Sequence, residues 1–422
     1  MAKEVEKMLS LEEAQRVALA AAVPLATEKV QLEDASGRVL AEEVRAFRDE
    51  PAATQTAMDG YAVHSEDVEA ASSEKPVLLA VVGTVGPGQH LDRQARRKEA
   101  IRVMTGATLP AGADAVIPHE MAEIVAEGVV IKAPVAPGDY LIPAGAELQM
   151  DQHLLSDSTV LGVKELTILA TQGYSTVKVR RQPVVAVLAT GSELVEVGKS
   201  LDQNRIFASN LHTVSNLVNH YGGRVRVLGI AGDQVERLTP FMEKGNRADV
   251  IVTTGGTGKG EKDLVSNAIQ TLGGDVLFHG VAMSPGKQAL FAKLGGTLLF
   301  GLPGRPAATY IAFEQLVRPV LLQMLGLSQV FPPETTAVLS SSVKVRGKLL
   351  SFLLGRLIFR PAGLEVESLR SESKGILTEM LAANCLLQVP PGRNWLNKGE
   401  RVTVQLLDLG LEGLSYFQVP SF

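Results

Sequence analysis

Cysteine is almost absent from this chain, and its scarcity excludes several kinds of site. Cys385 is the only cysteine among the 422 residues. An intrachain disulfide needs two cysteines, and thiolate zinc sites or iron–sulfur clusters need more than one. We therefore expect a protein of a reducing compartment, with a cytoplasmic location.

Long apolar runs and an excess of basic charge are missing as well. No uninterrupted run of about 18 apolar residues occurs, as a membrane-spanning helix requires. The opening MAKEVEKMLS lacks the apolar region of a signal peptide. We expect neither export nor membrane insertion. The formal net charge of -5 argues against nucleic acid as a partner, although a local pocket for a small anion remains compatible with it.

The pattern of residues changes along the chain, whose length suits about two to four domains. Ser10 and Glu13 have the spacing of a capping box, and the apolar spacing after them predicts an opening helix. Short apolar runs broken by glycine and proline predict a small β-rich domain over residues 76–148. Similar runs after Pro332 predict a C-terminal β domain, either a barrel or a sandwich.

Strands and helices alternate from residue 183 to about 327, which predicts a doubly wound α/β sheet. Ligands of such sheets bind beyond the carboxyl ends of the strands. We therefore expect polar and glycine-rich turns to meet along one rim of the sheet. These turns contain Gly191, Ser192, Glu193, Asp233, residues 255–263, residues 284–287 and residues 301–306.

The chain is organised around DVIVTTGGTGKGEKD, residues 249–263. A buried strand is predicted first, then glycines, then a helix that starts at Asp263. Gly255, Gly256 and Gly258 leave backbone N–H groups open to phosphate or another anion. An ordinary tight strand-to-helix turn is the structural alternative.

Two familiar nucleotide motifs do not fit this stretch. A P-loop would need glycine at Thr253, and Ser or Thr where Gly260 follows Lys259. A dinucleotide fingerprint would need an acidic residue about 20 positions further on, at the end of a second strand. The glycine turn therefore predicts an anion site of another kind.

Two polar loops in the first half of the chain are further candidates. Thr54, Thr56 and Asp59 place hydroxyls and a carboxylate beside Gly60, as a loop that binds a ligand or a metal would. Thr105 lies just past a predicted strand and could face a ligand. A plain loop and a plain turn are the alternatives.

These motifs together resemble the MoeA family of molybdopterin molybdenumtransferases, which includes the E domain of gephyrin. The matching segments are TAMDGYAV (56–63), RVMTGATLPAGADAVIPHE (102–120), ATGSEL (189–194), TTGGTGKGEKD (253–263), SPGK (284–287) and GLPGRP (301–306). The resemblance implies a homodimer with the active site between subunits. It also implies four domains: an elongated helical domain of residues 1–47 and 149–182, an inserted β-rich domain of residues 48–148, a MogA-like α/β molybdopterin-binding domain of residues 183–330, and a C-terminal β domain of residues 331–422.

The resemblance implies a transferase that inserts molybdate into adenylylated molybdopterin, releases AMP and needs Mg²⁺. The upstream molybdopterin adenylyltransferase is a candidate partner. The catalytic residues implied are Asp59, Asp233, Asp263 and Lys287, and the three aspartates are the implied metal ligands. The substrate-binding residues implied are Thr105, Gly191, Ser192, Glu193, Gly255, Gly256, Gly258, Ser284, Pro303, Gly304, Arg305 and Pro306.

The chain departs from the family pattern at a few positions, which keeps other functions open. Ser284 stands where a basic residue is usual, Arg305 replaces an asparagine, and Tyr140 replaces an acid. We expect Arg305 to supply the positive charge that Ser284 lacks, because guanidinium pairs well with oxyanions. One alternative is a molybdopterin adenylyltransferase, since residues 183–327 resemble the MogA type. The other is a non-catalytic molybdopterin-binding paralogue, which the change at Ser284 favours.

Overall fold

The computed structural model describes residues 8–258, 263–345, 347–369 and 376–415. Lys259 and Gly260 of the glycine-rich stretch lie outside this part of the chain. The chain divides into two compact units. Within the described residues, the smaller unit holds Glu43–Leu155 and Ile168–Gly173, and the larger unit holds residues 8–42, Ser156–Thr167 and the chain from Tyr174 to residue 415. The four-domain division stays a prediction. Within the described ranges, no helix is both long and apolar enough to span a membrane.

The opening helix begins where the sequence predicts. Helix α1 spans Leu11–Ala21, and strand β1 follows at Thr27–Gln31. The Ser10 hydroxyl accepts a hydrogen bond from the Glu13 N–H at 3.1 Å, and the Glu13 carboxylate accepts one from the Ser10 N–H at 2.8 Å. These two bonds satisfy N–H groups that have no partner inside the helix, so the capping box is confirmed.

The smaller unit is built mainly of short strands, as predicted for the β-rich region. Six of them form one sheet in the order β7-β4-β6-β5-β9-β8, and β3 pairs with β10 and β2 with β11. The elements are β2 (Val44–Arg45), β3 (Gln55–Thr56), β4 (Gly60–Val63), α2 (Ser65–Val68), β5 (Val77–Val85), β6 (Glu99–Val103), β7 (Ala115–Pro118), β8 (Ala122–Val125), β9 (Gly128–Ile131), β10 (Leu141–Ile142) and β11 (His153–Leu155). All four residues of β4 are buried.

The larger unit contains the predicted α/β layers. Its elements up to residue 324 are α3 (Val163–Thr171, shared with the smaller unit), β12 (Thr176–Arg180), β13 (Val184–Thr190), β14 (Leu194–Val195), β15 (Ile206–Phe207), α4 (Ser209–His220), β16 (Arg224–Ala231), α5 (Val235–Gly245), β17 (Val250–Thr254), α6 (Leu264–Thr271), β18 (Asp275–His279), β19 (Met283–Ser284), β20 (Leu290–Leu294), β21 (Thr297–Leu302), α7 (Pro306–Ala312), a π-helix (Phe313–Val317) and α8 (Arg318–Met324). Strand β12 pairs with β1.

The central sheet has the order β16-β13-β17-β21-β20-β18. The first four strands are parallel. Successive residues of β13 face opposite cores: Val185 and Val187 pack with α4 and α7, whereas Ala186 and Leu188 pack with α5 and α6. Helices therefore cover both faces, and the predicted doubly wound class is confirmed. Strand β20 was not predicted. It pairs antiparallel with β21 across Gly295-Gly296, which makes the sheet mixed.

The C-terminal strands close into a barrel. Strand β24 pairs with β25 and β26, and the ring is completed through β22 and β28. Closure removes open sheet edges. The elements are β22 (Glu334–Leu339), β23 (Val343–Lys344), β24 (Leu350–Arg360), β25 (Gly363–Ser368), α9 (Ile376–Ala382), β26 (Cys385–Val389), β27 (Trp395–Leu396), β28 (Arg401–Leu406) and α10 (Gly410–Ser415). Strand β19 pairs with β24, so Ser284 lies opposite Ser351.

Candidate functional site

A cavity of about 310 Å³ opens at the carboxyl edge of the parallel strands, where the sequence predicts a rim of ligand-binding turns. Residues that follow each of the four parallel strands line this cavity. Eight predicted residues line this cavity: Gly191, Glu193, Asp233, Gly255, Gly256, Gly258, Gly304 and Pro306. The tertiary structure therefore brings together turns that lie more than a hundred residues apart in the chain.

The turn after β17 requires glycine. Gly255 and Gly256 have φ angles of +87° and +66°, in the left-handed region. A Cβ atom on Gly255 would lie 2.5 Å from the carbonyl oxygen of Thr190. The Gly255 N–H already donates to the Leu302 carbonyl at 3.0 Å, so this N–H does not face an anion. Gly255 therefore shapes the turn, and its predicted role in binding an anion stays a prediction.

Among the described residues, two carboxylates line the cavity, and one of them is hydrogen-bonded to the neighbouring turn. Asp233 Oδ2 accepts a hydrogen bond from the Ser192 N–H at 2.8 Å, and Ser192 Oγ accepts one from the Asp233 N–H at 3.2 Å. The Glu193 carboxylate folds against Gly191, where a Cβ would lie 2.7 Å from Glu193 Oε2. Ser192 itself is not among the described residues that line the cavity. Ser192 holds Asp233 through these two bonds, and its predicted role in substrate binding stays a prediction.

Asp263 lies at the start of α6, as predicted, and both of its carboxylate oxygens have protein partners. Oδ1 accepts a hydrogen bond from the Ser266 N–H at 3.1 Å. Oδ2 lies 3.0 Å from Nδ1 of His279, whose Nε2 is 3.2 Å from the Thr257 carbonyl oxygen. Each ring nitrogen of His279 thus lies within hydrogen-bonding distance of an oxygen atom. Asp263 thus joins the helix start to β18.

Four predicted anion-binding residues of this unit are absent from the cavity lining that the structure describes. Ser284, Lys287 and Arg305 have exposed side chains, and Pro303 is buried. Arg305 precedes α7, and its carbonyl accepts a hydrogen bond from the Thr309 N–H at 2.9 Å. None of the four is among the described residues lining the cavity, whereas Gln288, next to Lys287, is. Their roles stay predictions.

Asp59 and Thr105 are paired in the smaller unit. Thr105 donates two hydrogen bonds to Asp59 Oδ1, from its N–H at 2.7 Å and from its hydroxyl at 2.8 Å. These two bonds, with the backbone bond as the largest cause, lower the pKa of Asp59 below its ordinary value, so the carboxylate stays ionised at neutral pH. The next residue, Gly60, allows β4 to lie close to β7, since a Cβ there would lie 2.1 Å from the Ile117 carbonyl oxygen.

We expect Thr105→Val to raise the pKa of Asp59 towards its ordinary value, because the variant loses the hydroxyl bond and keeps the N–H bond. An acid whose pKa is lowered on folding stabilises the folded state above the unfolded pKa, and this contribution is lost as pH falls through the folded pKa. Carboxyl NMR titration measures the shift, with Thr108→Val as the control. An unchanged Asp59 titration would contradict the assigned cause.

No group of three or more His, Cys, Asp or Glu side chains is arranged to hold a metal ion in the described part of the chain. The metal role of Asp59, Asp233 and Asp263 stays a prediction. Of the acidic residues that the structure describes, Glu193 and Asp233 line the cavity.

Several cavity residues were missed from the sequence. Thr190 ends β13 inside the ATGSEL segment, and Asn210 lies in the first turn of α4. Phe207 and Gln288 also line the cavity. The position of Thr190 at the carboxyl end of a strand is a signal that could have found it. Asn210 has no comparable signal, because its Nδ2 donates to the Gly304 carbonyl, 94 residues away, at 2.8 Å.

Comparison with known proteins places these motifs in one family. Family models match residues 9–173 (MoeA N-terminal region, domain I and II), 186–323 (probable molybdopterin binding domain) and 336–407 (MoeA C-terminal region, domain IV). A molybdopterin molybdenumtransferase of Staphylococcus aureus strain COL is 31% identical over 380 residues, covering 90% of this chain and 91% of that protein. The chain belongs to the MoeA family.

Other MoeA relatives agree over almost the whole length. A molybdopterin molybdenumtransferase of Staphylococcus epidermidis strain RP62A is 29% identical over 409 residues, covering 97% of this chain and 98% of that protein. Crystal structures of MoeA proteins from Pyrococcus horikoshii match with TM-scores of 0.84 and 0.79 at 33% and 27% identity. Each covers 95% of this chain, and the alignments take in 99% and 100% of those chains. The predicted family, its transferase class and the multidomain fold are confirmed.

Proposed function

We propose that this MoeA-family chain inserts molybdenum into molybdopterin in molybdenum cofactor biosynthesis, using adenylylated molybdopterin and molybdate and releasing AMP. The observation that supports this most directly is the cavity at the sheet edge, lined by glycine turns and two carboxylates. Its volume of about 310 Å³ is within the range for small-molecule sites. The relatives over 90% or more of the chain are named molybdopterin molybdenumtransferases.

The cavity suits cleavage of a phosphoanhydride. Such cleavage adds water to one phosphorus and breaks its bond to the bridging oxygen, so AMP and the molybdopterin phosphate separate. It needs neutralisation of charge and correct positioning more than covalent catalysis. Glu193 and Asp233 fit a Mg²⁺ shared with the substrate, since Mg²⁺ binds one or two carboxylates and completes its shell with phosphate oxygens and water. When bound, the cation neutralises phosphate charge.

The proposal includes a homodimer, as the family resemblance implies, with Asp59 and Thr105 contributing to the site. An ionised Asp59 held by two hydrogen bonds is a suitable anchor for a hydrated cation. Mixing Asp59→Ala subunits with Asp233→Ala subunits is the test. Recovered AMP release in the mixture supports a shared site, and a fully active monomer contradicts it.

We expect purified protein to release AMP from adenylylated molybdopterin when Mg²⁺ and molybdate are present. Asp233→Asn keeps the size of the side chain and removes its charge, and it should slow AMP release about 100-fold or more. Glu236→Gln, an exposed change on α5, is the matched control and should leave the rate unchanged. Chromatographic assay of AMP measures both. ATP consumption with free molybdopterin would instead support the adenylyltransferase alternative, and absence of both reactions would support the non-catalytic paralogue.

A further inference from the structure

Two buried oxygens in the cavity wall lack a hydrogen-bond partner within the described part of the chain. The relative exposure of Thr190 is 4% and that of Asn210 is 8%. Neither Thr190 Oγ1 nor Asn210 Oδ1 has a partner among the described residues. Both residues line the same cavity. An unpaired buried oxygen costs free energy, so folding alone does not explain why these groups are polar.

The orientation of Asn210 is set by one strong contact. Its Nδ2 donates to the Gly304 carbonyl at 2.8 Å. Because a carbonyl only accepts, the nitrogen must face Gly304, and Oδ1 is the end without a partner. Gly304 also packs closely on the glycine turn, since a Cβ there would lie 3.6 Å from the Gly255 Cα. The Asn210 amide is thus an acceptor held in a defined direction.

Thr190 is held in place under the same turn. Its Cγ2 would lie 2.7 Å from a Cβ on Gly256, so the side chain packs tightly against the glycine backbone. Its hydroxyl can donate or accept a hydrogen bond. Phe207, which is 40% exposed, lines the cavity as well and offers an aromatic face. The cavity wall therefore combines the acceptor oxygen of Asn210, the Thr190 hydroxyl, which can donate or accept, and the aromatic face of Phe207.

We propose that Asn210 and Thr190 recognise the polar edge of a planar, amino-substituted heterocycle. Asn210 Oδ1 accepts a hydrogen bond from a ring N–H or amino group, Thr190 Oγ1 pairs with the neighbouring ring atom, and Phe207 stacks on the ring. Both oxygens are shielded from solvent, so their contact with the ring requires a small shift of the adjoining turns. The inference rests on the proposed function, whose substrate contains two such heterocycles, a pteridine and an adenine.

Thr190→Val gives the sharpest test, because valine keeps the shape and removes only the unpaired hydroxyl. The affinity for the recognised ring compound, AMP or a 2-amino-4-oxopteridine, should fall on the order of tenfold. The urea concentration at the midpoint of unfolding should stay the same or rise. Asn210→Leu should weaken binding by a similar factor and also lower stability, since the bond to Gly304 is lost. Asn216→Ala, an exposed change on the same helix, is the control and should change neither quantity.

Calorimetric titration with AMP and, separately, with a 2-amino-4-oxopteridine identifies the ring that is recognised. A weakened affinity for the pteridine alone supports the pteridine edge, and a weakened affinity for AMP alone supports the adenine edge. Unchanged affinities for both compounds in Thr190→Val and Asn210→Leu overturn the inference, as does wild-type protein that binds neither. Wild-type protein that binds a ring through these residues without releasing AMP supports this inference and contradicts the proposed function.

Discussion

Gly255→Ala should reduce the rate of AMP release about 100-fold or more, because a displacement of about 1 Å in the turn that lines the cavity can slow a reaction by that factor. The φ angle of Gly255 is +87°, which costs an alanine about 1–2 kcal/mol. The added Cβ would also lie 2.5 Å from the Thr190 carbonyl oxygen, so the turn has to move. That movement stretches the bond from the Gly255 N–H to Leu302 and displaces Gly256 in the cavity wall.

Gly273→Ala separates the cost of a positive φ angle from the effect of displacing the turn in the cavity. The φ angle of Gly273 is +71°, but a Cβ added there would have no heavy atom within 4 Å apart from those of its chain neighbours. The control should therefore lose about 1 kcal/mol of stability and keep its turnover. Urea unfolding and the AMP assay measure both variants. If Gly255→Ala retains turnover near that of Gly273→Ala, the glycine turn is not part of the site.

Arg318→Leu should lower the free energy of unfolding by about 3–5 kcal/mol, because it leaves a buried acid without its cation. Arg318 is 2% exposed and Glu314 is 1% exposed, and Arg318 Nε lies 3.8 Å from Glu314 Oε2. The Tyr221 hydroxyl is 3.0 Å from both Glu314 oxygens, and the Arg318 guanidinium lies 5.0 Å from the centre of the Tyr221 ring. The cluster lies where the π-helix meets α8.

The loss of stability should grow with pH. Burial raises the pKa of Glu314 to about 7, and Arg318 and Tyr221 oppose this rise. An acid whose pKa is raised on folding stabilises the protein below the unfolded pKa, and this contribution is lost as pH rises through the folded pKa. Without Arg318, the pKa of Glu314 rises further, so the loss continues to higher pH. Urea unfolding at pH 6 and pH 9 should show the larger deficit at pH 9.

An exposed ion pair provides the matched control for this change. Arg356 and Glu367 are 2.7 Å apart with side chains 51% and 41% exposed. Arg356→Leu should cost less than about 1 kcal/mol, because solvent screens exposed pairs. Equal losses from Arg318→Leu and Arg356→Leu, or a deficit for Arg318→Leu that shrinks at pH 9, would contradict the buried-charge explanation.

Local chemistry made much of the molecule predictable from its sequence. Runs of β-branched and other apolar residues, such as those of β13 and β17, are typical of parallel strands buried on both faces. Ser10 and Glu13 cap a helix through bonds that span three residues. The order of strand, glycine turn and helix placed Glu193, Asp233 and Gly255 at one sheet edge, because parallel strands share their carboxyl side.

The tertiary structure alone decided features that depend on residues far apart in the chain. The pairing of β24 with β26 closes the C-terminal strands into a barrel, where the sequence allowed either a barrel or a sandwich. Thr105 meets Asp59 across 46 residues, and Asn210 meets Gly304 across 94. The sequence by itself determined the family, the order of the layers and the edge that holds the cavity. Which polar groups face each other, and which are left without partners, depended on three-dimensional packing, because hydrogen bonds between distant residues leave no periodic signal in the sequence.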